Sequence, residues 1–285
     1  MKDLGNNISI SNELLGGKNF NHVFKGKWDS TQVVVRRVCL LHLVEPHFYR
    51  LNQDRLAAER EIKLENLDHP NVIKLFAYTD TKDFRFFALE LCAASLYEYC
   101  IGQYDGDMPP TITVLLHIVR GLRYVHSRGL AHRRIHPKKI MISLSSPVVI
   151  KLSDFDLCKS VTTSGSYSVS GGKGDDCYQA PEILDDDDDQ GISEKRGSIA
   201  SDIFSAGLVF FYFLTSGWHL FGNGFNIPTN IVNKEHVNWE MLPVDYIYDY
   251  GELIKDMVKH DPQDRIMLDI AEAKLNEMER PDYML

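Results

Sequence analysis

His132-Arg133-Arg134-Ile135-His136-Pro137-Lys138-Lys139-Ile140-Met141-Ile142 decides how this chain is read, together with Asp154-Phe155-Asp156 twelve residues further on. A short β-hairpin is predicted between the two, from Lys139 to Ser143 and from Val148 to Ser153, around Ser145-Ser146-Pro147. The first stretch carries arginine, histidine and lysine, and the second sets two carboxylates about a phenylalanine. Arginine cannot accept a proton near neutral pH. An ammonium group repels a metal ion rather than coordinating it.

Upstream, the first hundred residues alternate strand-like and helix-like patches. Val33-Val34-Val35 is a β-branched run and reads as a buried strand. Asp54 to Leu67 has helical character and stops at Asp68-His69-Pro70. Val72 to Tyr78 and Phe84 to Leu91 read as two further strands around a polar turn. Beyond Cys100 the pattern turns helical. Ile112, Leu115, Leu116, Val119, Leu122 and Val125 recur at helical spacing between Pro109-Pro110-Thr111 and Gly129. Thr162 to Asp176 is rich in Ser, Thr, Gly and Asp and reads as a mobile loop. Asp185 to Asp189 reads as a solvated insertion, since it lacks the alternating ligands and glycine of a calcium loop. Helices are predicted at Ile199 to Thr215, Tyr246 to Lys259 and Leu268 to Glu279.

Composition narrows the classes. The 285 residues are 44% hydrophobic and 25% charged, ordinary for a globular protein. A net charge of -9 argues against nonspecific binding of nucleic acid or an anionic membrane surface. Five scattered cysteines without a C-x-x-C pair suit a reduced, cytoplasmic setting and no zinc site. No signal peptide is visible at Met1 to Ile10, and the apolar run Ile203 to Leu214 is shorter than the roughly 18–20 residues of a bilayer span. No membrane insertion is expected.

In frame, these segments resemble a eukaryotic protein-kinase domain from about Leu14 to Arg265. The family reads H-R-D-L-K-P-x-N-I-L-I where this chain has His132 to Ile142, and D-F-G where it has Asp154-Phe155-Asp156. Ala180-Pro181-Glu182 matches A-P-E, and Val33-Val34-Val35-Arg36 stands at V-A-I-K. Short strings such as His69-Pro70-Asn71-Val72-Ile73 and Asp202-Ile203-Phe204-Ser205-Ala206-Gly207 are similar to the unfolded-protein-response sensor kinase/endoribonucleases and the oligoadenylate-dependent ribonuclease. The resemblance implies an α+β bilobal kinase fold: a small antiparallel sheet lobe with one helix, and a large, mainly helical lobe. It implies an N-terminal extension over 1–13 and a kinase-like domain over 14–285, with small lobe 14–91, hinge 90–92 and large lobe 93–285. The nuclease domain of those relatives is expected to be absent.

The resemblance also assigns positions. Gly16, Val23, Val34, Arg36, Glu90, Cys92, Met141 and Asp154 stand where the family holds nucleotide. Of the three phosphate-loop glycines only Gly16 survives; Lys18 and Asn21 occupy the others. Some kinases supply the strand lysine from this hairpin, but from the position that Asn21 holds here. Arg36 replaces that lysine, with Glu61, or its rival Glu59, as its helix partner. Arg134 stands at the base position, His136 at a phosphate-contacting lysine, and Lys139 at a magnesium-binding asparagine. No catalytic set is intact, and only Asp154 remains as a metal ligand. His132, Phe155, Glu182, Asp202 and Arg265 match the residues that hold the large lobe together.

These assignments imply a catalytically inactive regulatory or binding module acting as a dimer or docked on a related kinase. The competing reading is an unusual active serine/threonine kinase using Asp156 as base. No cofactor is expected. ATP without magnesium stays open, because Arg36, Arg134 and Lys139 either hold an anion or pair with Asp154 and Asp156 and close the pocket.

Overall fold

The computed structural model describes residues 1–18, 21–40, 62–169, 175–184 and 196–279. Its first part is a six-stranded antiparallel sheet in the order β1-β2-β3-β4-β6-β5. The strands are β1 (Lys2–Gly5), β2 (Ile8–Lys18), β3 (Asn21–Trp28), β4 (Thr31–Cys39), β5 (Leu75–Asp80) and β6 (Phe84–Glu90). Strand β4 shows why the valine run folds this way. Val33 and Val35 are fully buried on one face with Ile8, Phe86 and Ala88. Val34 and Arg36 alternate to the other face, opposite Leu89 and Phe87 of β6. Gly26 lets β3 lie against its neighbours: a Cβ there would stand 2.5 Å from both Ser9 O and Val35 Cγ2.

Two expectations for this lobe change. The extension placed at 1–13 belongs to the sheet, because Ile8 is fully buried against β4 and pairs with Trp28. The strand expected from Val72 begins at Leu75; Val72 makes only an isolated bridge to Leu152. Most of the predicted helix Asp54 to Leu67, with Glu59 and Glu61, lies outside the described residues; its end, Ile62–Asn66, is a 3₁₀ turn.

The larger lobe is built on helices. These are α1 (Leu96–Cys100), α2 (Thr111–Ser127), α3 (Pro181–Leu184), α4 (Ile199–Leu214), α5 (Ile227–Val232), α6 (Val244–Tyr246), α7 (Glu252–Met257) and α8 (Leu268–Met278). Helix α4 is apolar nearly all round and buried from Ser201 to Leu214, which makes it the central post. Helix α2 lays Val114, Leu115, Ile118, Leu122 and Val125 onto the same core. A π-helical turn, Ile247–Gly251, joins α6 to α7 within the helix expected as one piece.

Short strands frame the loops of the larger lobe and its junction with the sheet. They are β7 (Cys92–Ser95), β8 (Leu130–Ala131), β9 (Ile140–Ser143), β10 (Ile150–Leu152), β11 (Lys159–Ser160), β12 (Ser166–Ser168) and β13 (Arg196–Ser198). The β9–β10 hairpin pairs Ile142 with Ile150, and β7 adds on its open edge. Ile73 N–H donates to Leu152 O at 2.8 Å and Leu152 N–H to Asn71 O at 2.9 Å, fastening the lobes behind the cleft. Gly121 on α2 permits this approach, since a Cβ would stand 2.6 Å from Asn71 O. The Thr162 to Asp176 segment is not all loop. Strand β12 within it pairs with β13 and buries Tyr167. The aspartate run 185–189 lies outside the described residues.

Candidate functional site

The loop from His132 is shaped by one carboxylate on α4. Asp202 accepts from the backbone N–H groups of His132 at 2.8 Å and Arg133 at 2.7 Å, and faces His126 Nε2 at 2.9 Å. Burial pushes the Asp202 pKa up, but the His126 hydrogen bond and the neighbouring donors outweigh it and hold the carboxyl below its usual range. Arg133 sits at φ 66° and Asp154 at φ 68°, both left-handed. Such non-glycine backbone persists only where the surroundings impose it. His132 imposes part of it: its ring lies 4.5 Å from Phe155, faces Ser153 O through Nε2, and accepts from Arg134 N–H through Nδ1. Burial keeps this histidine uncharged by lowering its pKa. Ser153 closes the frame with two hydrogen bonds to Lys139 O, each 2.9 Å.

Inside this frame the charges meet. Arg36 reaches from β4 across the cleft and donates to Asp154 Oδ1 at 2.9 Å. Its other nitrogen lies 3.5 Å from Asp156 Oδ2. Arg134 stands 3.3 Å from Asp154 Oδ2 and bonds Asp156 Oδ2 more closely still. Lys139 Nζ closes on Asp154 Oδ2. Three cations therefore surround two carboxylates, and each Asp154 oxygen has a cationic partner. Burial alone would raise the Asp154 pKa; Arg36, Lys139 and Arg134 together drive it well below the ordinary carboxylate range. Of the two roles left open for these cations, the geometry is that of pairing with the acids.

The residues do not fit a magnesium site. The Lys139 ammonium sits on the Asp154 oxygen that a metal ion would have to share, and would repel it. Among the described residues, no group of three His, Cys, Asp or Glu side chains is placed to hold one.

The other positions assigned by resemblance are dispersed along the cleft. Gly16 pairs with Val23 at the β2–β3 hairpin, and Val34 faces the cleft from β4. Glu90 is occupied: it accepts from Lys74 N–H at 3.2 Å and pairs with Lys151 at 3.0 Å. Cys92 and Met141 lie on paired strands β7 and β9. Burial, then Glu90, pushes the Cys92 thiol up to about 12, so it is not a ready nucleophile. An Arg36–Glu61 pair lies outside the described residues.

Structural positions come together closely. Arg265, its side chain fully buried, forks onto Glu182 with contacts of 2.8 and 2.7 Å, and also donates to the carbonyls of Lys259, Ala200 and His260. Arg133 donates to Leu157 O at 3.1 Å and lies over the Tyr167 ring. One partnership escaped the sequence reading. His136 Nε2 meets Asp175 Oδ2 at 3.2 Å and its ring packs 4.3 Å from Tyr178, joining the loop to the start of the segment before α3. Nothing in the local sequence signals it beyond the N-cap character of Asp175, which accepts from Cys177 N–H.

Known proteins agree with this architecture. The sequence profile of the family described as "Protein kinase domain" matches residues 10–276. The serine/threonine-protein kinase/endoribonuclease IRE1 of Hypocrea jecorina is 32% identical over 303 residues, covering 91% of this chain and 23% of that protein. The ire-1 protein of Caenorhabditis elegans, with the same description, is 32% identical over 89% of this chain and 25% of its own length. Human IRE2 is 34% identical over 77% of this chain and 23% of its own. The chain thus spans about a quarter of the length of the relatives it matches. Among the described residues, no helix is long and apolar enough to cross a membrane. With the anchors of Asp202, Glu182 and Arg265 in place around a sheet-and-helix cleft, and with that profile spanning nearly its whole length, the chain belongs to the protein kinase domain family.

Proposed function

We propose that this chain is a catalytically inactive kinase-fold module that regulates by forming a dimer or by docking on a related kinase of the IRE1 type. The observation that carries the proposal is the cation cluster on Asp154 and Asp156. Phosphoryl transfer depends on metal ions that bridge the phosphates and on a group that orients the attacking hydroxyl. Here the metal-binding acid is occupied by protein cations, and the base position is itself a cation. The alternative, an active serine/threonine kinase using Asp156, has against it the engagement of that carboxylate by Arg134 and Arg36. The module needs no metal. Any ATP it takes would be held by positive charge without magnesium, and no nucleic acid is its partner.

Purified chain is incubated with radiolabelled ATP, magnesium or manganese, and a generic protein substrate. No label above background is expected. Metal-dependent label that co-elutes with the chain on gel filtration would overturn the proposal. Thermal unfolding with ATP should shift little, and equally with and without magnesium. A magnesium-dependent rise of several degrees would favour the active alternative.

A further inference from the structure

A second cavity, of about 190 Å³, opens on the large lobe away from the cleft. Its floor is apolar: Phe204 of α4, Phe221, Ile231 of α5 and Val258 after α7, all nearly or fully buried. Phe204 and Phe221 stack at 6.1 Å, and His236 stands edge-on to Phe221 at 5.0 Å. Its mouth is basic. Lys234, Lys255 and Lys259 are exposed around it, and no acidic residue lines it.

Two of these lysines have acidic partners. Glu252 pairs with Lys255 at 2.8 Å, while Asp256 is shared between Lys259 at 3.1 Å and Lys274 at 2.9 Å. Lys234 has no ion-pair partner among the described residues. It stands at φ 65° in the turn after α5.

Size and polarity select a ligand class. Pockets for drug-sized molecules measure about 300–1,000 Å³. An apolar cavity of about 150 Å³ holds a single benzene ring. We propose that this cavity binds a small amphiphilic carboxylate, with one ring or a short alkyl chain on the aromatic floor and the carboxylate at Lys234. The apolar body gains from leaving water, and the head group gains charge-assisted hydrogen bonds at the rim. The site lies outside the ATP cleft, so it stands whether or not the chain transfers phosphate.

The test uses the full chain with carbon-13 labelled isoleucine methyls. Ile231 is followed while sodium hexanoate, hexan-1-ol or inorganic phosphate is added. Hexanoate is expected to shift the Ile231 methyl saturably and at lower concentration than hexanol, and phosphate to leave it unmoved. Lys234→Glu, at an exposed position without an ion pair, is expected to weaken hexanoate by about tenfold and hexanol hardly at all. Equal binding of hexanoate and hexanol, an unchanged hexanoate titration in Lys234→Glu, or displacement of hexanoate by equimolar phosphate would each overturn the proposal.

Discussion

Asp154 is expected to be a stability residue in this chain, and Lys139 a dispensable one. The cleft holds Arg36, Arg134 and Lys139 against Asp154 and Asp156, a local balance of three positive to two negative charges. Asp154→Asn leaves three cations facing one acid. Lys139→Asn leaves two against two, with Arg36 and Arg134 still in place. The Asp154 side chain is 10% exposed, and those of its partners 18%, 32% and 30%. Breaking a buried pair typically costs about 3–5 kcal/mol, because the remaining charge is left uncompensated. Partial exposure of Arg134 and Lys139 lets water recover some of this, so about 3 kcal/mol is expected for Asp154→Asn. In a chain of this size, roughly 2–3 °C accompanies each kcal/mol, giving a fall in Tm of roughly 6–9 °C. Lys139→Asn should stay within about 1 kcal/mol of the parent, since one excess charge is removed. The double variant should recover part of the Asp154→Asn loss. Circular-dichroism melts and urea unfolding of the four proteins decide the matter. If Asp154→Asn melts with the parent, or Lys139→Asn falls as far as Asp154→Asn, the acids are not counter-ions and the argument fails.

Stability should also fall on acidification well before the carboxylates titrate. Burial lowers the pKa of His219 and of His117 from 6.5 to about 4. Between these values the unfolded chain binds protons that the native chain does not, so stability decreases as pH drops through that window. Asp154 has a depressed native pKa and adds loss of the same sign as the unfolded carboxyl begins to protonate, below about pH 5. Urea midpoints at pH 7, 5.5 and 4.5 should decline in order, and a flat series would contradict the assignment of neutral buried histidines. Glu182→Gln should cost about 3–5 kcal/mol in urea unfolding, because it strands the buried Arg265 guanidinium. A cost under about 1 kcal/mol would mean that the three backbone carbonyls on Arg265 suffice without the acid.

The fold was legible where a residue type has one structural use. The β-branched run of β4 and the apolar stripe of α2 could be placed because burial follows their periods of 2 and 3.6. Ile8-Ser9-Ile10-Ser11 carries the same alternation and marks β2, yet it lies upstream of the kinase-like motifs, which by themselves make it an extension. Strand β12 offers only Ser166-Tyr167-Ser168, too short for a period to register; its partner β13 follows the aspartate run. At the site, the identity of the exchanged side chains was legible and their partners were not. Arg36 and Asp154 are 118 positions apart, and only the folded sheet decides whether that arginine turns to the cleft. The His136–Asp175 contact depends likewise on how the segment before α3 returns to the loop.

The grip of Asp202 on the loop backbone reaches beyond this one cleft. The carboxylate holds amides, which every residue but proline possesses, and it does so from some seventy positions away. The loop's path is therefore indifferent to most of what its side chains become. Residue 139 in particular can change without loosening the two amides that Asp202 holds. A partner that recognises that outline would meet the same surface whichever side chains the loop carried. Such an arrangement separates the shape of a loop from the chemistry its side chains can perform.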